Sequence, residues 1–330
     1  MKVGIIGAGR IGAIHAENLR LHPDVSAVIV TDEVVSHAER VAKINGAEVA
    51  PGADELLDSV DAVVICTPAD MHAELIELAV KHRVPALCEK PLAMNLADAD
   101  RAVATVSESD VLVQIGFNRR FDTGYRTARD LVADGSLGTV TLIVGQHHDY
   151  QLPTKEYIAR SGGEFIDQLI HEFDILRFVT GREVLRVHAA GATRAFDWFS
   201  DFGDYAQTVV TLWLDDGMLA VLCGSRQNPV GYDVRMEVFG TKDSVAVGLD
   251  SRTPLRSIEP GVPEPVDPYT EWLPRFGETY AREMDAFLAM ILDGEPNACT
   301  VYDARAALAI AEACTISAQE GRIVSLVEVV

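Results

Sequence analysis

Three side chains in this sequence could do acid–base chemistry together. Asp167 and His171 lie four residues apart in the segment from Gly162 to Asp174. Phe165, Leu169, Ile170, Phe173, Ile175, Leu176 and Phe178 recur there at helical spacing, which predicts a loop turning into a helix over about 163–180. On such a helix Asp167 and His171 stack one turn apart on the same face. A carboxylate so placed orients an imidazole and stabilises its protonated form. The imidazole titrates near neutral pH, as a base for a hydroxyl proton must. Gly162 and Gly163 allow backbone to approach a ligand closely. Lys90 is one of only six lysines and is wedged between Glu89 and Pro91 at the end of an apolar run. A cation there can stabilise a developing alkoxide. Taken alone, the Asp–His pair could equally be a surface pair on an ordinary helix; the elements around it weigh against that.

The N-terminal third supplies the frame. Lys2 to Ile6 is a short apolar strand, Gly7-Ala8-Gly9-Arg10-Ile11-Gly12 follows at once, and Ile14 to Leu21 reads as a helix. This is GxGxxG between a strand and a helix. Gly7 permits the turn, Gly9 lets the backbone approach a pyrophosphate, and Gly12 allows close helix–strand packing, while the helix dipole favours the anion. A second strand ends at Thr31-Asp32, about twenty residues past Gly12. A carboxylate there accepts from ribose hydroxyls and repels a 2′-phosphate, so NAD is expected over NADP. A strand-end Asp capping the next helix is the plainer alternative.

Further strands are read at Val60–Cys66, Pro85–Cys88 and Val111–Ile115, with helices at His72–His82 and Leu96–Ser107. Alternation of strand and helix to about residue 118 implies right-handed βαβ units and a doubly wound parallel sheet. Ligands in such sheets sit beyond the carboxyl ends of the strands, where Thr67, Lys90 and Asn118-Arg119 all fall.

From Phe121 the pattern changes. A helix at 123–134, a strand at 139–147, a loop at 148–160 and the central helix precede strand-like runs near 184–191, 205–214, 218–225, 232–240 and 244–249. These runs predict an antiparallel meander in an α+β domain. A proline-rich acidic loop (251–271) and two helices, 275–292 and 302–319, close the chain. The expected division is residues 1–120 and 121–330, with the last helices able to pack back on the first domain. His147 and His148 are adjacent on a strand and point to opposite faces, so they are not expected to share a metal ion.

The formal net charge of −22 argues against nucleic acid and anionic membrane surfaces as partners, since both reward basic patches. The five cysteines are odd in number and show no CxxC spacing, so neither a disulfide framework nor a zinc ribbon is expected. The chain opens directly in a strand and no apolar run reaches 18 residues, so a cytoplasmic location is expected.

These residues together resemble the Gfo/Idh/MocA family of nicotinamide-dependent oxidoreductases, and within it the inositol 2-dehydrogenases. The resemblance covers nearly the whole chain. It is carried by GAGRIG at 7–12, TP at 67–68, EKP at 89–91, GFNRRF at 116–121, GGEFIDQLIHEFD at 162–174, GYDVRMEVFG at 231–240 and AALAIAEACTISAQEGRIV at 306–324. It implies a Rossmann domain followed by a domain with an open, mostly antiparallel sheet, usually assembled as a homotetramer through that sheet. It implies a catalytic triad of Lys90, Asp167 and His171. Asn118, Arg119, His147 and Tyr232 would contact a polyol, and Gly9, Arg10, Ile11, Asp32, Thr67, Pro68, His72 and Glu89 would line the NAD site. The expected reaction is oxidation of a secondary hydroxyl, most simply of myo-inositol at C2. Other inositols, aldoses and sugar acids are alternatives, and a catalytically silent NAD-binding sensor is the alternative of another class. The segment reads FIDQLIHEFD where many inositol enzymes carry a sequence like FRDMTIHDFD, and Asn118 stands where some carry methionine.

Overall fold

A computed structural model describes residues 1–329. The chain divides into two compact units. The first takes Met1–Phe121 and Glu278–Leu308, and the second takes Asp122–Gly277 and Ala309–Val330.

In the first unit the elements run β1 (Lys2–Ile6), α1 (Arg10–Leu21), β2 (Ala27–Thr31), α2 (Val35–Asn45), β3 (Glu48–Val49), α3 (Ala53–Leu57), β4 (Ala62–Ile65), α4 (His72–Lys81), β5 (Ala86–Glu89), α5 (Leu96–Ser107) and β6 (Val113–Gly116). The strands form one parallel sheet in the order β3-β2-β1-β4-β5-β6. This is the Rossmann order, with its switch point between β1 and β4. Strand β4 is Ala-Val-Val-Ile and wholly buried, as a strand covered on both faces must be. Val3, Ile5, Leu19, Val30, Val64 and Leu87 form the core with Met284, Phe287 and Leu288 from the C-terminal part of the chain. Strand β3 and helices α2 and α3 add to the expected elements; β3 has only two residues, too few for any periodicity to show.

The second unit contains α6 (Thr123–Ala133), β7 (Val140–His148), α7 (Lys155–Ser161), α8 (Glu164–Asp167), α9 (Ile170–Thr180), β8 (Val184–Ala192), β9 (Gln207–Leu214), β10 (Leu219–Ser225), β11 (Asp233–Gly240) and β12 (Ser244–Val247). Helices α10 (Trp272–Leu292) and α11 (Val301–Glu320) and the short β13 (Val324–Ser325) complete the chain. Seven strands pair in the order β12-β11-β7-β10-β9-β8-β13. The sheet is mostly antiparallel, but it is not the simple meander expected. Strand β7 inserts between β11 and β10 and runs parallel to β10. Consecutive pairing holds only for β8-β9-β10 and β11-β12.

Two further expectations need correction. The stretch 148–160 is not all loop, because α7 occupies its end, with the Thr154 hydroxyl accepting the Tyr157 N–H as N-cap. The central helix is not continuous from 163 to 180. It breaks between Asp167 and Ile170, where the amides of both Gln168 and Leu169 close on the carbonyl of Glu164. Side-chain bonds from distant strands and loops hold the short α8, and they override the helical periodicity. The Glu164 N–H donates to Asp204 Oδ1 at 2.8 Å, Gln168 Nε2 donates to the Ser225 carbonyl at 3.3 Å, and Arg226 Nη1 donates to Asp167 Oδ2 at 2.6 Å. Asp167 and His171 therefore sit on successive helices, not on one face of a single helix.

Candidate active site

The first unit builds a cradle mostly from main chain. Gly7 has φ +99, and a Cβ there would lie 2.7 Å from the Cys66 carbonyl carbon. A Cβ on Gly12 would lie 2.0 Å from the Gly7 oxygen, so α1 packs onto the turn only because residue 12 is glycine. Gly9 differs from both: a Cβ there meets no protein atom within 4 Å. Nothing in the protein requires that glycine, so the space in front of it is available to a ligand backed by peptide N–H groups. No side chain caps the N-terminus of α1, and Gly9 and Arg10 are exposed there, with Ile11 half-buried. Uncapped first-turn amides and an open approach are what a pyrophosphate requires.

Asp32 ends β2. Its Oδ2 accepts from the Ala8 N–H at 2.6 Å and its Oδ1 from the Val34 N–H at 2.8 Å. The carboxylate is thereby fixed beside the glycine turn. A cavity of about 240 Å³ opens next to it, lined by Asp32, Val35, Ala38, Val49, Ala50 and Pro51. Its apolar walls and single carboxylate suit an adenosine. The lining residues at 49–51 went unrecognised in the sequence because they lie in and after the two-residue β3.

The strand-end residues of the same unit are tied together by His72. Its ring is 1% exposed, with Nδ1 2.7 Å from the Pro91 carbonyl and Nε2 2.9 Å from the Thr67 carbonyl. The ring thus links the Thr67-Pro68 turn to the turn carrying Lys90. Burial pushes its pKa below the ordinary value, against the pull of the two carbonyls. Lys90 is half-buried and follows a buried Glu89, whose Oε1 lies 2.7 Å from His15 Nε2 on α1. The Glu89 carboxylate is therefore engaged within the unit. Glu283 lies against this pair, and burial raises its pKa well above the carboxylate range. His15, Glu89 and Glu283 bring potential metal ligands within 4.8 Å of one another, all three buried. Asn118 and Arg119 are buried after β6, and the Asn118 amide donates to Thr279 Oγ1 at 2.9 Å.

The second unit builds its site from side chains. His147 near the end of β7 is 4% exposed, with Nδ1 3.3 Å from Glu172 Oε1 and Nε2 3.4 Å from the Tyr232 hydroxyl. Its ring lies 5.7 Å from that of Tyr232, edge-on, and 6.3 Å from that of His171. Asp167 accepts from the Tyr157 hydroxyl at 2.6 Å through Oδ1 and from Arg226 at 2.6 Å through Oδ2. Of the residues expected in this unit, His147, His171 and Tyr232 thus come together, while the contacts of Asp167 run to Tyr157 and Arg226. Burial lowers the pKa of His148, adjacent to His147. Tyr157, Glu172 and Arg226 were missed. Tyr157 fell in a stretch read as loop, and Arg226 follows a strand at a position no spacing rule singles out.

Residues 1–117 match the oxidoreductase family model with an NAD-binding Rossmann fold, and residues 125–246 match the GFO/IDH/MocA C-terminal domain. The chain belongs to the Gfo/Idh/MocA family. It is 37% identical over 333 residues to an inositol 2-dehydrogenase of Rhizobium meliloti (strain 1021), covering 99% of each chain. It is 35% identical over 334 residues to a myo-inositol 2-dehydrogenase of Thermotoga maritima, covering 100% of each. A solved structure of scyllo-inositol dehydrogenase from Lactobacillus casei, with bound NAD(H) and scyllo-inositol, matches with a TM-score of 0.90 at 28% identity over 99% of each chain. The chain is thus an oxidoreductase with an NAD-binding Rossmann domain. Among the described residues no helix is long and apolar enough to cross a membrane.

Proposed function

We propose that this protein is an NAD-dependent inositol dehydrogenase that oxidises myo-inositol at C2 to the 2-keto product. One observation carries the reading: in the second unit the His147 ring lies against both Tyr232 and His171, and Asp167 is fixed by Tyr157 and Arg226. Imidazole, carboxylate and phenol side chains are groups that read several hydroxyls at once and move a proton from one of them. The relatives named above point to the same substrate class.

Bound NAD would supply the hydride acceptor. Gly9 and the first turn of α1 would hold its pyrophosphate, Asp32 its adenosine ribose, and Thr67, Pro68 and His72 would shape the strand-end side of its site. His171 takes the proton of the reacting hydroxyl. Asp167 orients His171 and stabilises the imidazolium. Lys90 donates to the same hydroxyl oxygen and stabilises it as charge develops. His147, Tyr232, Asn118 and Arg119 hold the remaining hydroxyls. NAD is preferred over NADP because a fixed carboxylate at Asp32 repels a 2′-phosphate.

The Lactobacillus casei structure supports a second reading, in which scyllo-inositol is the better substrate. The test is NADH formation from a panel of myo-, scyllo- and D-chiro-inositol, glucose, xylose and galactose, repeated with NADP. Turnover of myo-inositol with NAD is expected to exceed all others. Turnover of another inositol alone would move the substrate and keep the chemistry. Turnover of nothing, with tight NAD binding, would remove the reading.

A further inference from the structure

Arg226 is the largest fully buried side chain of the protein, 1% exposed just beyond the end of β10. Three carboxylates surround its guanidinium. Nε lies 2.5 Å from Glu164 Oε2, Nη1 2.6 Å from Asp167 Oδ2 and Nη2 3.4 Å from Asp204 Oδ2. These acids are not scattered. Glu164 and Asp167 are the first and last residues of α8, and Asp204 accepts the Glu164 N–H at the start of that helix. One buried cation therefore pins both ends of the helix that presents Asp167. The second oxygen of Asp167 is held by the Tyr157 hydroxyl from α7 at 2.6 Å. Room for this arrangement is made by Gly224, where a Cβ would lie 2.3 Å from Glu164 Oε1.

We propose that Arg226 is the positioning residue of the catalytic carboxylate. It fixes Asp167 for orienting His171 and, by sharing its negative charge, keeps the His171 imidazolium from becoming too stable to release its proton. This deepens the function proposed above and rests on the roles given there to Asp167 and His171. The charges around Asp167 are consistent with it. Burial pushes the Glu164 carboxyl well above the carboxylate range, and the Arg226 charge beside it pulls the other way. Tyr157 is pushed up by burial and by Asp167, so its hydroxyl remains a donor. The other titratable group that faces this site is Asp149 beyond β7, which acts on both Tyr157 and Glu164 and lies 3.7 Å from His147 Nε2.

A buried guanidinium that loses its partner, or partners that lose it, are strongly penalised, so the hold on Asp167 is stiff. Displacing a catalytic group by about 1 Å can cost about 100-fold in rate. The test uses the full chain, with NAD and myo-inositol over a range of pH. R226Q is expected to lower kcat about 50- to 100-fold, with KM for the polyol and Kd for NAD changed less than about threefold. The acid limb of the kcat/KM profile moves upward, because Asp167 then presents its whole charge to His171. R226K restores part of the rate, and R226Q adds no further loss in a D167N background.

An R226Q loss that persists undiminished in D167N, or an acid limb that stays in place, would overturn the proposal. Should R226Q fail to fold, Y157F removes the other donor to Asp167 from the accessible side. It is expected to lower kcat several-fold and shift the limb in the same direction, and an unmoved limb counts against the proposal. An active D167N would overturn the catalytic reading itself; an inactive D167N beside a fully active R226Q would overturn this proposal alone.

Discussion

The two units make their sites by different means. In the first, the cradle at Gly7–Gly12 is main chain: a turn, an uncapped helix start and a carboxylate fixed by two backbone amides. In the second, Asp167 and His147 are held by side chains of other elements, Arg226 and Tyr157 for the first and Tyr232 and Glu172 for the second. A main-chain site tolerates most side-chain changes outside its glycines. A side-chain site fails when any one of its supports is cut.

The largest effect that separates the units is expected at Lys90. Lys90→Ala should lower turnover by about 1000-fold or more while leaving NAD binding measurable, because the cradle does not use this side chain. Steady-state rates beside an NAD titration check it, and surviving turnover would contradict the role given to Lys90.

The glycines sharpen the comparison next. Gly7→Ala forces a Cβ to within 2.7 Å of the Cys66 backbone at φ +99, and should cost about 2–4 kcal/mol in unfolding free energy. Gly9→Ala meets no protein atom, so stability should change by less than about 0.5 kcal/mol, while NAD affinity falls at least about tenfold as the methyl occupies the space left for the pyrophosphate. Urea unfolding with NAD titration separates the two. Equal effects at both positions would show that the open space at Gly9 is not a cofactor seat.

A smaller change is expected at Asp32. Asp32→Ala should weaken NAD about tenfold and relax discrimination against NADP. An unchanged ratio of kcat/KM values for the two cofactors would break the reading of that strand end.

The smallest effect concerns pH. Burial lowers the folded-state pKa of His72 below its ordinary 6.5. The folded state therefore binds fewer protons than the unfolded one in the range just below that value. The stability linked to His72 is present above 6.5 and is lost as pH falls through the lower folded value. Gln at this position has two N–H donors for the two carbonyls and no titration. His72→Gln should flatten the decline of Tm between about pH 7 and pH 5, and an equal slope in both proteins would place the acid sensitivity elsewhere.

The same difference between the units explains what was legible in the sequence. Gly7, Gly9, Gly12 and Asp32 are readable because main-chain geometry demands particular residues at fixed offsets. The parallel sheet was readable because buried β4 is continuously apolar. The insertion of β7 beside β10 was not, since strand order depends on side-chain packing between segments some 75 residues apart, as in the Leu142–Leu219 pairing. The break between α8 and α9 was hidden for a related reason. Its apolar spacing is helical, but Arg226 and Asp204 hold the preceding turn from elsewhere in the chain. His147 and Tyr232 were found through family motifs, whereas Tyr157 and Arg226 emerge only from contacts.

The central claim is that cofactor binding and proton transfer are built separately. Titrating His171→Ala with NAD, and measuring its turnover of myo-inositol in parallel, tests this most directly. The account predicts NAD affinity within about threefold of the unaltered protein and turnover reduced by about 100- to 10,000-fold, the usual contribution of a general base. Loss of NAD binding together with turnover, or turnover that persists, would contradict it.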